Sequence, residues 1–339
     1  LNPMTSSLNF DSLAAISSAG LPAIDAKAVA AARARQGALT KPPGSLGRLE
    51  ALAEFMAGWR GTAQPKIDKA QALVFAGNHG VCAQGINPFP QEVTAQMVAN
   101  FQHGGAAINQ LCAVAGADLT VVALDLERPT GDFTQGPAMS EAETLSALRR
   151  GAEAVDPSAD VLILGEMGIG NSTVAAALGL AVCGGEAASW VGAGTGADAA
   201  GIAHKADVVT KAVSLHRDAT GMGVLAALGG REQAAICGAV LAARAARIPV
   251  ILDGFICTAA VAPLHGTDPA FLDHCIVGHA SREPGHTRLC EALGKDPVLR
   301  MDMALGEGSG AALALNILRS ALACHNGMAT FAEAGVAGG

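Results

Sequence analysis

Three glycine-rich stretches of the sequence each bring an ionisable side chain to a place where a ligand could meet it. Gly165-Glu166-Met167-Gly168-Ile169-Gly170-Asn171-Ser172-Thr173 follows the apolar run Val161–Leu164 and opens into an Ala-rich helical pattern. Backbone N–H groups at a helix start, with the positive end of its dipole, attract phosphate or carboxylate, and glycine allows close approach. Gly168, Asn171, Ser172 and Thr173 are the candidates for that contact. The stretch has neither the Lys of a P-loop nor the G-x-G-x-x-G order of dinucleotide folds, and tight packing alone could explain its glycines. Glu166 argues for a site, since a carboxylate buried at a strand end is costly without a partner.

The second stretch, Val191-Gly192-Ala193-Gly194-Thr195-Gly196, precedes Lys205 in an otherwise apolar helix. Gly192, Gly194 and Lys205 could share one phosphate with the first turn; a loose loop with a solvated lysine is the alternative. The third, Leu305-Gly306-Glu307-Gly308-Ser309-Gly310, leads into an apolar helix. A carboxylate at such a helix mouth is favoured in its ionised form by the dipole, and a helix cap by Glu307 or Ser309 is the alternative. His79, in Ala76-Gly77-Asn78-His79-Gly80-Val81, could exchange protons, although a hydrogen-bonded structural role is the preferred reading. His279 and His286 lack a metal-ligand spacing, and no G-x-S-x-G elbow is present. Neither a metal nor a cofactor is expected.

Elements must hold these groups together. Apolar runs recur at Ala72–Gly77, Leu119–Asp125, Asp160–Gly165, Ser189–Gly192, Ile248–Gly254 and His274–Gly278, each expected as a strand. Helical patterns at Met139–Ala154, Thr173–Cys183, Ala200–His216, Arg231–Arg247 and Gly308–His325 alternate with them. The reading is an α/β fold: a Rossmann-like, mainly parallel sheet with helices on both faces. Strands without polar alternation fit burial on both faces, and ligands of such sheets sit beyond the carboxyl ends of the strands. The first 70 residues are helical patterns broken by Lys41-Pro42-Pro43-Gly44. With about 320–339 they are expected to form a small helical domain beside a large α/β domain of residues 71–319.

Composition excludes several functions. A net charge of −8 over 339 residues opposes binding to a phosphate backbone, and nine Phe, two Trp and no Tyr leave little aromatic surface for stacking on single strands. Nucleic acid is therefore not an expected partner. Eight cysteines without a C-x-x-C pair read as buried thiols in a reducing compartment. No apolar stretch reaches the roughly 20 residues of a membrane span, and no basic region precedes an apolar one before Lys27, so a cytoplasmic protein without a membrane partner is expected. The chain opens on Leu1, so the natural start is expected at Met4 or upstream.

Four collinear segments resemble one family. Lys41-Pro42-Pro43-Gly44-Ser45-Leu46-Gly47-Arg48-Leu49-Glu50, the Gly165–Thr173 stretch, Pro249-Val250-Ile251-Leu252-Asp253-Gly254-Phe255 and Leu305–Leu313 are similar to hallmark segments of the nicotinate-nucleotide:dimethylbenzimidazole phosphoribosyltransferases. The match runs in order from about residue 40 to 336. The resemblance implies a pentosyltransferase that moves ribose 5-phosphate from nicotinate mononucleotide to 5,6-dimethylbenzimidazole. Its products would be nicotinate and α-ribazole 5′-phosphate, used for the nucleotide loop of cobalamin. It also implies a homodimer with a small domain built from both chain ends.

By the same resemblance Glu307 is the general base and Glu166 the second active-site carboxylate, near the ribose. Gly168, Asn171, Ser172, Thr173, Gly192, Gly194 and Lys205 hold ribose and phosphate, while Phe89, Met97 and Leu305 line the base pocket. Where the family pattern has a serine and a glutamine, this chain carries Phe89 and Met97, and Asn78 replaces an aspartate before His-Gly-Val. A drier pocket should favour a methylated ring over one with exocyclic polar atoms. The alternatives are transfer to another base such as adenine or a phenol, and a non-catalytic nucleotide-binding sensor, for which Glu307 would have no use.

Overall fold

The computed structural model describes residues 8–337, so the expected start at Met4 lies outside the described residues. Strands β1 (Ala70–Ala76), β2 (Ala117–Ala123), β3 (Val161–Met167), β4 (Val250–Leu252) and β5 (Cys275–Val277) form one parallel sheet in the order β2-β1-β3-β4-β5. The strand β1, AQALVFA, shows no polar alternation because all of it is buried. Its alternate side chains enter two cores. Leu73 and Phe75 join Leu162, Leu164 and Leu252 beneath the Glu141–Glu153 and Arg231–Ala245 helices. Val74 joins Ile163, Ile251, Leu52, Met56, Ile108 and Leu315 on the opposite face. Helices thus cover both faces, as the uninterrupted apolar runs require.

The run Ser189–Gly192 is not a strand. It continues a short turn at Ala187–Ser189, and the fully buried Trp190 fills the core and donates its indole N–H to the Gly184 carbonyl at 3.0 Å. Trp190 and Val191 supply core volume whether or not they pair in a ladder, so hydrophobicity alone misassigns the run. The strand order reverses direction at β1 and β3, and in doubly wound sheets that is where the crevice opens beyond the carboxyl ends.

Segments towards both ends of the described residues meet. The Ala26–Ala38 helix starts at Asp25, whose carboxylate accepts the N–H groups of Lys27 and Ala28, and it packs on the Arg48–Arg60 helix. Lys41 pairs with Glu50 at 2.7 Å across the Pro-Pro-Gly break. Arg35 donates to the carbonyl of His325 at 2.7 Å, and Leu39 bridges Thr330. The Ser309–Gly327 helix leans on Arg48–Arg60 and is continuous through residue 320, where the sequence reading divides the chain. Five of the cysteines are buried and all eight are free thiols. Among the described residues no helix is long and apolar enough to cross a membrane.

Candidate active site

A cavity of about 390 Å³ lies at the carboxyl ends of the strands. Segments following β1 (Ile86 to Met97), β3 (Glu166 to Ser172), β4 (Asp253 to Ile256) and β5 (His279 to Glu283) line it, and the Ala304–Glu307 loop closes one side. All three glycine-rich stretches therefore reach one space.

Glu166, the penultimate residue of β3, is buried and lines the cavity. Burial pushes its carboxyl up to about 8; the charge of Asp253 adds to this, a hydrogen bond from Asn171 opposes it, and Glu232 and Glu307 push the same way as Asp253. The group is thus protonated in the folded protein over a range where the unfolded chain holds it ionised. The sign follows: its contribution to stability is largest below about 4.5 and is lost as pH rises to about 8. Glu166→Gln should therefore melt above the parent protein by a margin that grows over this range and levels off beyond it, to a few degrees. A pH series of thermal melts checks this, and a margin constant with pH would refute the burial of a titrating carboxyl.

The turn after β3 is tight for a reason. A Cβ at Gly168 would lie 2.6 Å from the Gly77 carbonyl oxygen and 3.0 Å from His79 Nε2. Behind it His79 is fully buried, and its Nε2 meets Glu232 Oε1 at 2.6 Å. His79 does not line the cavity, which fits the structural role. Asn78 turns away too, donating to the Leu126 carbonyl at 3.0 Å. Thr173 and Gly192 also stand behind the wall: the Thr173 side chain is fully buried, and the Gly192 carbonyl accepts from Lys205 Nζ at 3.4 Å.

Lys205 is 3% exposed, so the solvated alternative is wrong. Its ammonium also donates to Ser172 Oγ at 3.4 Å, and burial lowers its pKa while Glu283 raises it. Gly194 stands between them with φ +53°, and its N–H donates to Glu283 Oε1 at 3.0 Å. Lys205, Ser172, Gly194 and the start of the Asn171–Cys183 helix form the cationic and N–H-rich end of the cavity.

At the other end Glu307 sits at φ +65° between Gly306 and Gly308, both at +88°. Burial raises its pKa, the Ile108 backbone lowers it and Asp253 raises it. Its Oε2 is buried and finds no hydrogen-bond partner among the described residues. Neither Glu307 nor Ser309 caps the following helix; Asp253 does, from 55 or more residues away. Phe89 and Leu305, 47% and 57% exposed, flank the mouth, with Met97, Val93 and Ile86 further along the apolar wall.

Residues 21–336 match the family model described as Phosphoribosyltransferase. Over 331 residues, 97% of this chain and 99% of the relative, the sequence is 65% identical to the nicotinate-nucleotide–dimethylbenzimidazole phosphoribosyltransferase of Rhodobacter capsulatus. The chain belongs to this phosphoribosyltransferase family. The phosphoribosyltransferase of the same name from Novosphingobium aromaticivorans is 60% identical over 334 residues, 97% of this chain and 99% of that one. The crystal structure of a phosphoribosyltransferase of this type from Thermus thermophilus superposes with a TM-score of 0.87 at 40% identity, covering 93% of this chain and 100% of that chain.

Sequence reasoning missed three groups that line this phosphoribosyltransferase cavity: Asp253, His279 and Glu283. Asp253 had a usable signal, an acidic residue ending an apolar run as Glu166 does. For His279 the sequence offers only the absence of a metal-ligand spacing, which says nothing of its place in the cavity. Glu283 had none, since its partner Gly194 is 89 residues away.

Proposed function

We propose that this phosphoribosyltransferase moves ribose 5-phosphate from nicotinate mononucleotide to 5,6-dimethylbenzimidazole, releasing nicotinate and forming α-ribazole 5′-phosphate for the nucleotide loop of cobalamin. One observation carries the assignment of roles. A single cavity has a buried lysine with helix N–H groups at one end, an apolar mouth at the other, and the carboxylates of Glu166 and Glu307 along it.

The 5′-phosphate would take the Lys205, Ser172 and Gly194 end, where its negative charge would favour the ammonium form that burial disfavours. The benzimidazole lies against Phe89, Met97 and Leu305. Its unprotonated ring nitrogen forms the new bond to C1′ while the C1′–pyridinium bond breaks, and the electron pair of that bond neutralises the nicotinate ring nitrogen. Bond formation acidifies the other ring N–H, and Glu307 takes that proton. Attack from the opposite face converts a β-nucleotide into an α-product. A cationic ribose drawn close to Glu166 favours its ionised form, and the ionised carboxylate in turn stabilises the cation.

The unit works as a homodimer in this proposal. Support comes from β2, a sheet edge whose side chains remain half-exposed, and from Val114, 78% exposed on the neighbouring Ala107–Ala115 helix. The two chain ends are proposed as a small helical domain beside residues 71–319, and the free thiols are in keeping with a reducing cytoplasm.

Incubating the purified protein with nicotinate mononucleotide and a panel of bases tests the reading. Nicotinate should appear with dimethylbenzimidazole, faster than with adenine or a phenol; no release with the benzimidazole would contradict it. Phe89→Ser should lower kcat/KM for dimethylbenzimidazole about 3- to 10-fold and that for adenine less, as expected for losing part of a half-exposed apolar wall.

A further inference from the structure

Asp253 follows β4 and is 1% exposed. Its Oδ2 accepts the N–H of Gly308 at 3.0 Å, and its Oδ1 accepts those of Gly310 at 2.8 Å and Ala311 at 3.0 Å. These are N–H groups that the start of the Ser309–Gly327 helix cannot satisfy internally. One buried carboxylate thus grips the backbone immediately after Glu307. The grip matters because Gly306, Glu307 and Gly308 are all left-handed, a conformation that is strained for Glu307, the one of the three with a Cβ. Gly165 completes the clamp from below, since a Cβ on it would lie 2.5 Å from the Glu307 carbonyl group.

We propose that Asp253 is a positioning residue for the reaction: by holding the Gly308, Gly310 and Ala311 N–H groups it keeps Glu307 in its left-handed conformation, with its carboxylate aimed into the cavity. This rests on Glu307 being the base. The charge of Asp253 acts on the same residue through space, raising the proton affinity of both Glu307 and Glu166. Asp253 is faced by His279, whose Nε2 lies 3.6 Å from Oδ1, by Glu307 and Glu166, and by the Cys257 thiol of the Phe255–Ala260 helix; Glu232 of the Arg231–Ala245 helix acts on Glu166. Asp253 therefore couples geometry and proton affinity at one carboxylate.

The purified enzyme carrying Asp253→Asn tests this. The amide retains the shape but sets an N–H₂ group against one of the three donors and removes the charge. The expected result is a kcat lower by about 10-fold or more, the scale of a catalytic group displaced by a fraction of an ångström. KM for nicotinate mononucleotide should stay within about 2-fold, because Lys205, Ser172 and Gly194 are untouched. The acid limb of the kcat profile should move to lower pH, since a neighbouring negative charge that raises the Glu307 pKa is gone. A parental kcat with a parental limb would overturn the proposal, as would a uniform loss of activity with an unmoved limb.

If Asp253→Asn does not fold, Asp253→Glu carries the test. That variant keeps the charge and misplaces the acceptors, so kcat should fall while the limb stays, and a parental kcat would overturn the proposal. Glu307→Gln assayed alongside separates the two readings. Near-normal turnover there removes the base itself, whereas an inactive Glu307→Gln beside a parental Asp253→Asn removes only the positioning role.

Discussion

Replacing Glu307 by Gln should lower kcat by about 10² or more while leaving the melting temperature at or slightly above parental, as burial raises the Glu307 pKa, and the affinity for nicotinate mononucleotide close to parental. The amide has nearly the same shape, and Asp253 rather than Glu307 satisfies the N–H groups of the following helix, so the loop loses none of its anchors. What would disappear is the proposed acceptor for the benzimidazole proton. Burial makes Glu307 a stronger base than an exposed carboxylate once ionised, and its Oε2 has no competing donor among the described residues. Steady-state release of nicotinate, with binding of the mononucleotide measured separately, gives both quantities. Near-normal turnover would exclude Glu307 as the base and the proton-transfer scheme with it.

Lys205→Ala is expected to raise KM for nicotinate mononucleotide by about 10- to 10²-fold with a much smaller change for the base. A buried charge-assisted hydrogen bond is worth roughly 1.5–3 kcal/mol, and each 1.4 kcal/mol is a decade. The present contacts of Lys205, both 3.4 Å, are long for an ammonium, so a phosphate would meet donors that are not already committed to short bonds. Glu283 lies in the same corner and shares the Gly194 N–H, so loss of the lysine would leave the phosphate facing an uncompensated carboxylate. Initial rates with each substrate varied in turn check the split. Equal effects on both substrates would place the lysine elsewhere in the reaction.

Much of the sheet and part of the site were legible because their signals are local. An apolar run without alternation, closed by glycine and followed by an Ala-rich pattern, reads as a buried parallel strand feeding a helix. That logic located β1, β3 and the turn carrying Glu166, Gly168, Asn171 and Ser172. It failed at Ser189–Gly192, where Trp190 supplies the hydrophobicity and packing against Gly179 takes the place of strand pairing. A four-residue run with two large apolar side chains does not distinguish the two.

The α/β class, the glycine turns and the presence of ionisable residues beside them could be read from the chain alone, because each depends on neighbours a few positions apart. Which of those residues share a cavity was set by long-range packing. Burial of Lys205 depends on the helix lying over Gly192 and Ser172, and the freedom of Glu307 depends on Asp253 arriving from another strand end to cap its helix. His79 was drawn out of the chemistry by Glu232, 153 residues away, with which it forms a buried pair. Such pairings follow from strand order and from which loops meet above the sheet, and a buried carboxylate is tolerated only where those loops bring it donors.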